Sequence, residues 1–260
     1  LVELLFVLHT KQGNKRLVCN VRSNTNRIYF VDSIETTQGT PSNFVMVLRK
    51  QLSQATIESI QQISFDRLLK FTLASRNEFG DATRFYLYVE LMGKYANIVL
   101  VNSDNIIVDA LKRIPVYENS KRTIHPGAKY TLPSQPEKQN PLEVENVDMD
   151  SSLVKQVYGF SPVLSNEFQT RMIQGQSFKD ILKELLESDT LYCYEKEYHC
   201  LPLTHLHQSQ TTYPLMEGMQ KLYQDNESKA RIKEQCGDVF STVSKEKKKH
   251  EKKLPKLQDS

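Results

Sequence analysis

Residues 83–92, TRFYLYVELM, constrain this chain more than any other stretch. The run has a period of two. Arg84, Tyr86, Tyr88 and Glu90 fall on one side, and Phe85, Leu87, Val89 and Leu91 on the other. Only an extended strand separates the two sets, because successive side chains of a strand leave opposite faces. The continuous apolar run 98–101, IVLV, follows and reads as a buried strand. TIESIQQI, DRLLKFTLA and IIVDALK flank these two with short polar breaks, which predicts a meander of strands.

Residues 4–31 also read as strands (LLFVLH, RLVCNV, NTNRIYFV), with Gly13-Asn14 as a hairpin turn between the first two. Residues 41–53 change period. Phe44, Val47, Leu48 and Leu52 share one face of a predicted helix, with Pro41 in its first turn. Residues 116–150 hold Pro126, Pro133, Pro136 and Pro141 among few apolar residues and read as an extended connection. Residues 151–213 read as helical pieces around GFSPVLSNE, followed by a small aromatic hairpin. From 214 onward a spacing of three and four places Leu215, Met219, Leu222, Cys236, Phe240, Val243, Leu254 and Leu257 in one seam, a coiled-coil pattern that Pro255 would kink. The expected class is α+β, with a β-rich part (1–115), a Pro-rich connection (116–150), helices plus hairpin (151–213) and the start of a coiled coil (214–260).

The 34 Lys and Arg against 31 Asp and Glu are unevenly placed. Residues 229–260 carry a net +5, which leaves residues 1–228 at −2. Seven lysines lie between 245 and 256 (Lys245, Lys247, Lys248, Lys249, Lys252, Lys253 and Lys256) against two glutamates. That density suits an RNA backbone better than an ordinary solvated helix face. No apolar run approaches the roughly 18 residues of a membrane span, so no membrane partner is expected. The first residues lack the pattern of a signal peptide. The chain opens without Met in a strand-like run and closes in a lysine-rich one, the look of a fragment.

Chemistry is sparse. Cys193, His199, Cys200, His205 and His207 cluster in sequence, but their spacing fits no standard zinc module, and no metal or cofactor is expected. Four cysteines without a C-x-x-C pair do not make a disulfide framework. No nucleophile motif or P-loop is present, so no enzyme activity is expected. Asp66-Arg67 is predicted to open a strand just after a turn at 63–65. An Arg there can grip phosphate while Asp accepts from a base edge; the alternative is a solvated turn pair. Glu90 shares a face with Arg84, which predicts an internal ion pair. Lys94, Arg113, Lys121 and Arg122 add basic groups nearby in sequence. Gly159-Phe160-Ser161-Pro162 is like a helix-hairpin-helix turn, which can offer backbone N–H groups to a phosphate; a plain helix connection with Pro162 at its first position is the alternative.

In order, these residues resemble one family. The matching pieces are Phe65-Asp66-Arg67, then Glu90-Leu91-Met92-Gly93-Lys94 running on to Asn97-Ile98-Val99-Leu100-Val101, then Asp109-Ala110-Leu111-Lys112-Arg113. Arg122, Pro126-Gly127, Tyr130, Asn140-Pro141, Gly159–Pro162 and Glu167 follow. The pattern is similar to that of the NFACT proteins, over about 1–215 for the N-terminal domain and beyond it for the start of the coiled-coil middle domain. The resemblance implies a fold like the N-terminal domain of formamidopyrimidine-DNA glycosylases, without their catalysis, followed by helix-hairpin-helix-like helices. It implies a cytoplasmic, ribosome-associated quality-control factor. Such a factor binds the 50S subunit carrying a stalled peptidyl-tRNA and recruits alanyl-tRNA for C-terminal alanine tailing. Asp66, Arg67, Glu90, Leu91 and Met92 are carried over as tRNA-contacting positions, and Lys94, Arg113 and Arg122 are added to that candidate site. Lys245, Lys247, Lys248, Lys249, Lys252 and Lys253 would form an RNA- or ribosome-contacting arm. The alternative is a cell-surface adhesin binding fibronectin or fibrinogen.

Overall fold

The alternating run forms one strand of a five-stranded antiparallel sheet with both faces covered. A computed structural model of the chain describes residues 3–33, 40–77, 79–118, 122–134, 136–224, 228, 232, 236 and 242–247. Two compact units, Leu1–Gly175 and Gln176–Ser260, divide the chain.

The first unit begins with β1 (Glu3–Thr10), β2 (Gly13–Asn20) and β3 (Arg27–Val31), a three-stranded sheet in that order. Thr10 pairs with Gly13, so the hairpin turns at residues 11–12 and Gly13-Asn14 already belongs to β2. Helix α1 (Asn43–Leu52) is capped by the Ser42 side chain, which accepts from Val45 N–H; Pro41 therefore lies outside the first turn. The meander follows as β4 (Thr56–Gln62), β5 (Leu68–Arg76), β6 (Ala82–Glu90), β7 (Asn97–Asn102) and β8 (Ile107–Ala110), hydrogen-bonded in sequence order. Phe85, Leu87 and Val89 of β6 join Phe71, Leu73, Ile98 and Leu100 in a core closed by Leu4, Leu17 and Cys19 of the small sheet and Phe44 and Leu48 of α1. Burial of this kind supplies about 1.5–3 kcal/mol per large apolar side chain.

The opposite face of the same sheet has its own core, Leu68, Tyr88, Val99, Val101 and Ile107 under Ile124 and Tyr130. The Pro-rich stretch thus packs on the sheet through residues 124–130. Bridges Ile106–Lys129 and Ile114–Ile124 hold it there. The unit ends in a single helical turn, α2 (Leu153–Gln156), and α3 (Pro162–Ile173). Ser161 caps α3, and Pro162 takes its first position, where no N–H is needed.

The second unit holds α4 (Phe178–Glu187) and a three-stranded antiparallel sheet of β9 (Thr190–Cys193), β10 (Tyr198–His199) and β11 (Thr211–Pro214), in the order β10-β9-β11. The expected aromatic hairpin is β9–β10. Residues 215–224 are helical, as are residues 228, 232, 236 and 242–247. Phe240, Leu254 and Leu257 of the expected seam lie outside the described residues. Among the described residues no helix is long and apolar enough to cross a membrane.

Candidate nucleic-acid interface

The Asp66-Arg67 pair sits in the turn itself, one residue before β5 starts at Leu68. Ser64 (φ 53°) and Phe65 (φ 52°) are both left-handed, and Asp66 N–H donates to Ile63 C=O at 3.0 Å. Two positive-φ centres inside one four-residue turn are the signature of a type I′ turn, for which Asn-Gly is the favoured pair. Ser and Phe there cost about 1–2 kcal/mol each in the backbone. Strain of this order persists only where surrounding bonds over-determine it. Ile63 N–H donates to Leu68 C=O (2.9 Å), Gln62 Nε2 to Asp66 C=O (2.9 Å) and Leu91 N–H to Arg67 C=O (2.8 Å). Arg67 N–H in turn donates to Asp66 Oδ1 at 2.7 Å. The Arg67 side chain is exposed, and among the described residues its guanidinium makes no hydrogen bond or ion pair.

The Leu91 bond joins the two strongest motif runs. Leu68 pairs directly with Glu90 across the sheet, so the end of β6 lies beside the turn. Glu90 itself is 1% exposed. Its carboxylate accepts from Arg122 Nη1 (2.9 Å) and Nη2 (2.5 Å) and from the Tyr130 hydroxyl (2.9 Å). Tyr130 stacks on Tyr88 with centroids 4.0 Å apart, and Arg122 Nε donates to Thr131 C=O. Burial pushes the Tyr130 phenol well above its ordinary range, and the Glu90 charge pushes it further, so it remains a donor. Burial alone would lower the Arg122 guanidinium, but the hydrogen bonds and charge of Glu90 reverse that and hold it above its usual value. The expected Glu90–Arg84 pair is absent. Arg84 pairs with Glu58 at 3.1 Å instead, because the segment carrying Arg122 folds over the end of the strand.

The remaining candidates are spread around this centre. Leu91 packs against the α1-side core and Met92 against the core under Tyr130. Lys94 is exposed, its ammonium 4.9 Å from the Tyr95 ring centroid. Arg113 makes a two-pronged contact (2.9 and 3.1 Å) with Asp109, whose side chain is 2% exposed. Lys245 and Lys247 are helical and exposed. Lys121, Lys248, Lys249, Lys252 and Lys253 lie outside the described residues.

Sequence reasoning did not foresee that Gly159 meets the Asp66-Arg67 turn. Gly159 has φ +80°, and a Cβ on it would stand 2.9 Å from Phe65 C=O. The two turns bound a cleft of about 500 Å³ whose lining includes Phe65, Asp66, Arg67, Lys138, Tyr158 and Ser161. Its only sequence signal was Gly159 itself, where close backbone approach calls for glycine. The five Cys and His residues between 193 and 207 do not converge in this way. Among the described residues no group of three or more His, Cys, Asp or Glu side chains is placed to hold a metal ion.

Comparison with known proteins places this geometry. The sequence model of a family described as "NFACT N-terminal and middle domains" matches residues 2–260. The chain belongs to the NFACT family. It is 30% identical over 284 residues to the Rqc2 homolog RqcH of Bacillus subtilis, an alignment covering 98% of this chain and 49% of that protein. The Streptococcus suis Rqc2 homolog RqcH is 29% identical, with 98% and 48% covered. The chain therefore spans about half the length of the curated relatives it matches. Among solved structures, the N-terminal part of the S. suis fibronectin/fibrinogen-binding protein superposes with TM-score 0.75 at 27% identity, covering 86% of this chain and 88% of that one. The fibrinogen binding protein of Staphylococcus aureus gives 0.69 at 25%, covering 83% and 85%. The mixed α+β fold with antiparallel sheets is thus that of NFACT N-terminal regions.

Proposed function

We propose that this chain is the tRNA- and 50S-binding part of a cytoplasmic ribosome-associated quality-control factor. In this reading it recruits alanyl-tRNA to a subunit blocked by peptidyl-tRNA and supports C-terminal alanine tailing without being an enzyme itself. One observation carries the proposal. Arg67 is exposed and its side chain unpaired among the described residues, on a strained turn that five hydrogen bonds hold in place. The backbone that presents this guanidinium is fixed before a phosphate arrives, and the guanidinium gives up no existing partner. Asp66 beside it accepts from a base edge.

The other candidate positions divide by their contacts. Glu90, Arg122 and Leu91 act by fixing the turn, since the Glu90 carboxylate is filled by Arg122 and Tyr130 and the Leu91 N–H by Arg67 C=O. Met92 supports them from the core. Lys94 and Arg113 supply outer positive charge, and the lysines from Lys245 onward reach along ribosomal RNA from the coiled coil.

Combined Asp66→Ala and Arg67→Ala substitution leaves circular dichroism unchanged and abolishes tRNA association and alanine tailing in the full-length protein. Tailing retained by that variant removes the assignment. Cell fractionation separates the adhesin alternative: co-sedimentation with 50S subunits supports the present reading, and cell-wall enrichment the other.

A further inference from the structure

The cleft between the two turns is lined by a second cation, Lys138, that lies outside the motifs shared with the family. We propose that Lys138 is a phosphate-binding residue of the Asp66-Arg67 site, and that this cleft grips a backbone phosphate of the bound RNA between Lys138 and Arg67. The proposal rests on the tRNA-binding reading above.

The placement of Lys138 is fixed by its neighbours. Gln139 N–H donates to Gln156 C=O (2.7 Å), and Tyr158 N–H donates to Gln139 C=O (3.0 Å). This short parallel bridge, Gln139 with Val157, ties the Lys138 backbone to the strand of chain that leads into Gly159. Pro136 and Pro141 stiffen the segment on either side. Lys138 is half-buried, yet among the described residues its ammonium makes no ion pair or hydrogen bond. Arg67, exposed on the opposite turn, likewise makes no side-chain hydrogen bond or ion pair among the described residues. Asp66 is the carboxylate lining the cleft with them.

Two unpaired like charges held in one partly desolvated cleft repel each other, and Asp66 offsets only one of them. An anion between them removes that repulsion and meets a fork of planar donors on one side and a point charge on the other. The Ser161 end of α3, a twelve-residue helix, adds the positive end of its dipole to the same cleft. An RNA phosphate suits this better than a side-chain carboxylate does. A tetrahedral phosphate has acceptor oxygens facing both ways, and the adjoining Phe65 and Tyr158 leave an apolar wall for the sugar and base.

The test is the salt dependence of tRNA binding by the 260-residue chain, measured as fluorescence anisotropy with labelled deacylated tRNA between about 50 and 200 mM KCl. Loss of one phosphate contact lowers the slope of log affinity against log salt by about one. Lys138→Ala and the more nearly isosteric Lys138→Gln should both bind more weakly. The gap from wild type should close about fourfold across that range, as a slope difference of one requires. Lys138→Arg should restore both affinity and slope. If both neutral variants keep the wild-type affinity and slope while Arg67→Ala still lowers them, Lys138 is not in the site and the tRNA-binding reading stands. If the wild-type chain itself fails to bind tRNA, the reading and the Lys138 assignment fall together.

Discussion

Substitution of Gly159 tests whether the two turns support each other. Alanine at this position meets two separate penalties. The φ of +80° puts an L-residue in the left-handed region, at about 1–2 kcal/mol, partly offset by the reduced freedom of the unfolded chain, about 0.4–1 kcal/mol. The new Cβ would also stand 2.9 Å from Phe65 C=O and 3.4 Å from Phe65 Cβ. Backbone so close must move, and overpacking of this kind costs about 1–3 kcal/mol. The carbonyl belongs to a turn already pinned at Ile63, Asp66 and Arg67, so retreat breaks bonds that hold Arg67 in place. Gly127 provides the matched control. Its φ is +86°, but a Cβ there meets nothing within 4 Å. Urea unfolding followed by tyrosine emission (the chain has 12 Tyr and no Trp) should show a loss of about 1 kcal/mol for Gly127→Ala, and at least about 1 kcal/mol more for Gly159→Ala. tRNA binding should fall for Gly159→Ala and stay at the wild-type value for Gly127→Ala. Equal destabilisation of the two variants, within about 0.5 kcal/mol, would refute the contact between the turns. Wild-type tRNA affinity in a destabilised Gly159→Ala variant would refute its role in presenting Arg67.

Other perturbations separate structure from binding at the same place. Glu90→Ala strands the Arg122 guanidinium in a largely buried site and should cost about 3–5 kcal/mol in urea unfolding; Glu90→Gln, which keeps an acceptor for Tyr130, should cost less. Ser64→Asn should stabilise the chain by up to about 1 kcal/mol, because Asn tolerates the left-handed region that Ser64 occupies, with a rise in the urea midpoint as the measure. Cys19 is 1% exposed, and burial pushes its thiol up to about 12. It should react with a maleimide only on unfolding. The sign of its pH effect follows from the raised value: the folded state favours the neutral thiol, so stability is full below about pH 9 and falls above it, by up to about 1.4 kcal/mol per pH unit, until about pH 12. In Cys19→Ala that part of the alkaline loss should disappear from urea midpoints measured between pH 8 and 10.5.

The local features of the sheet were legible in the sequence and the contacts between distant segments were not. The alternation of β6 sorted Phe85, Leu87 and Val89 from Tyr86 and Tyr88 correctly, because the period of a strand needs no knowledge of what covers it. The same alternation could not show that both faces are covered, so Glu90 was read toward Arg84, its neighbour on the face. The actual partner, Arg122, is 32 residues away on a Pro-rich stretch that carries no periodic signal. Pro41 outside α1 and Asp66-Arg67 outside β5 are boundary shifts of one or two residues set by a cap and a turn. The turn at 63–65 was legible, but its left-handed pair was not: Ser64-Phe65 breaks the local preference for Asn and Gly that makes such geometry readable. A sequence departs from local preference where something non-local holds it, and here that is the Leu91 bond on one side and Gly159 on the other.

Charge sharpens the same argument. With residues 1–228 at a net −2, general attraction cannot bring a polyanion to this part of the chain, so binding must depend on which cations are left unpaired and where they stand. Arg122 and Arg113 each face a buried carboxylate, Glu90 and Asp109; Arg122 is largely buried and spent on the fold, whereas Arg113 keeps half of its side chain exposed. Arg67 and Lys138 face one cleft without such partners among the described residues. Each cation that the fold neutralises in this region also stiffens the frame around the cation it leaves open. Glu90 shows the coupling directly: it sits opposite Leu68, the residue after Arg67, and its ion pair anchors the strand end whose next N–H holds Arg67 C=O. The acidic residue that lowers the net charge of the body is therefore part of what fixes the backbone that presents Arg67.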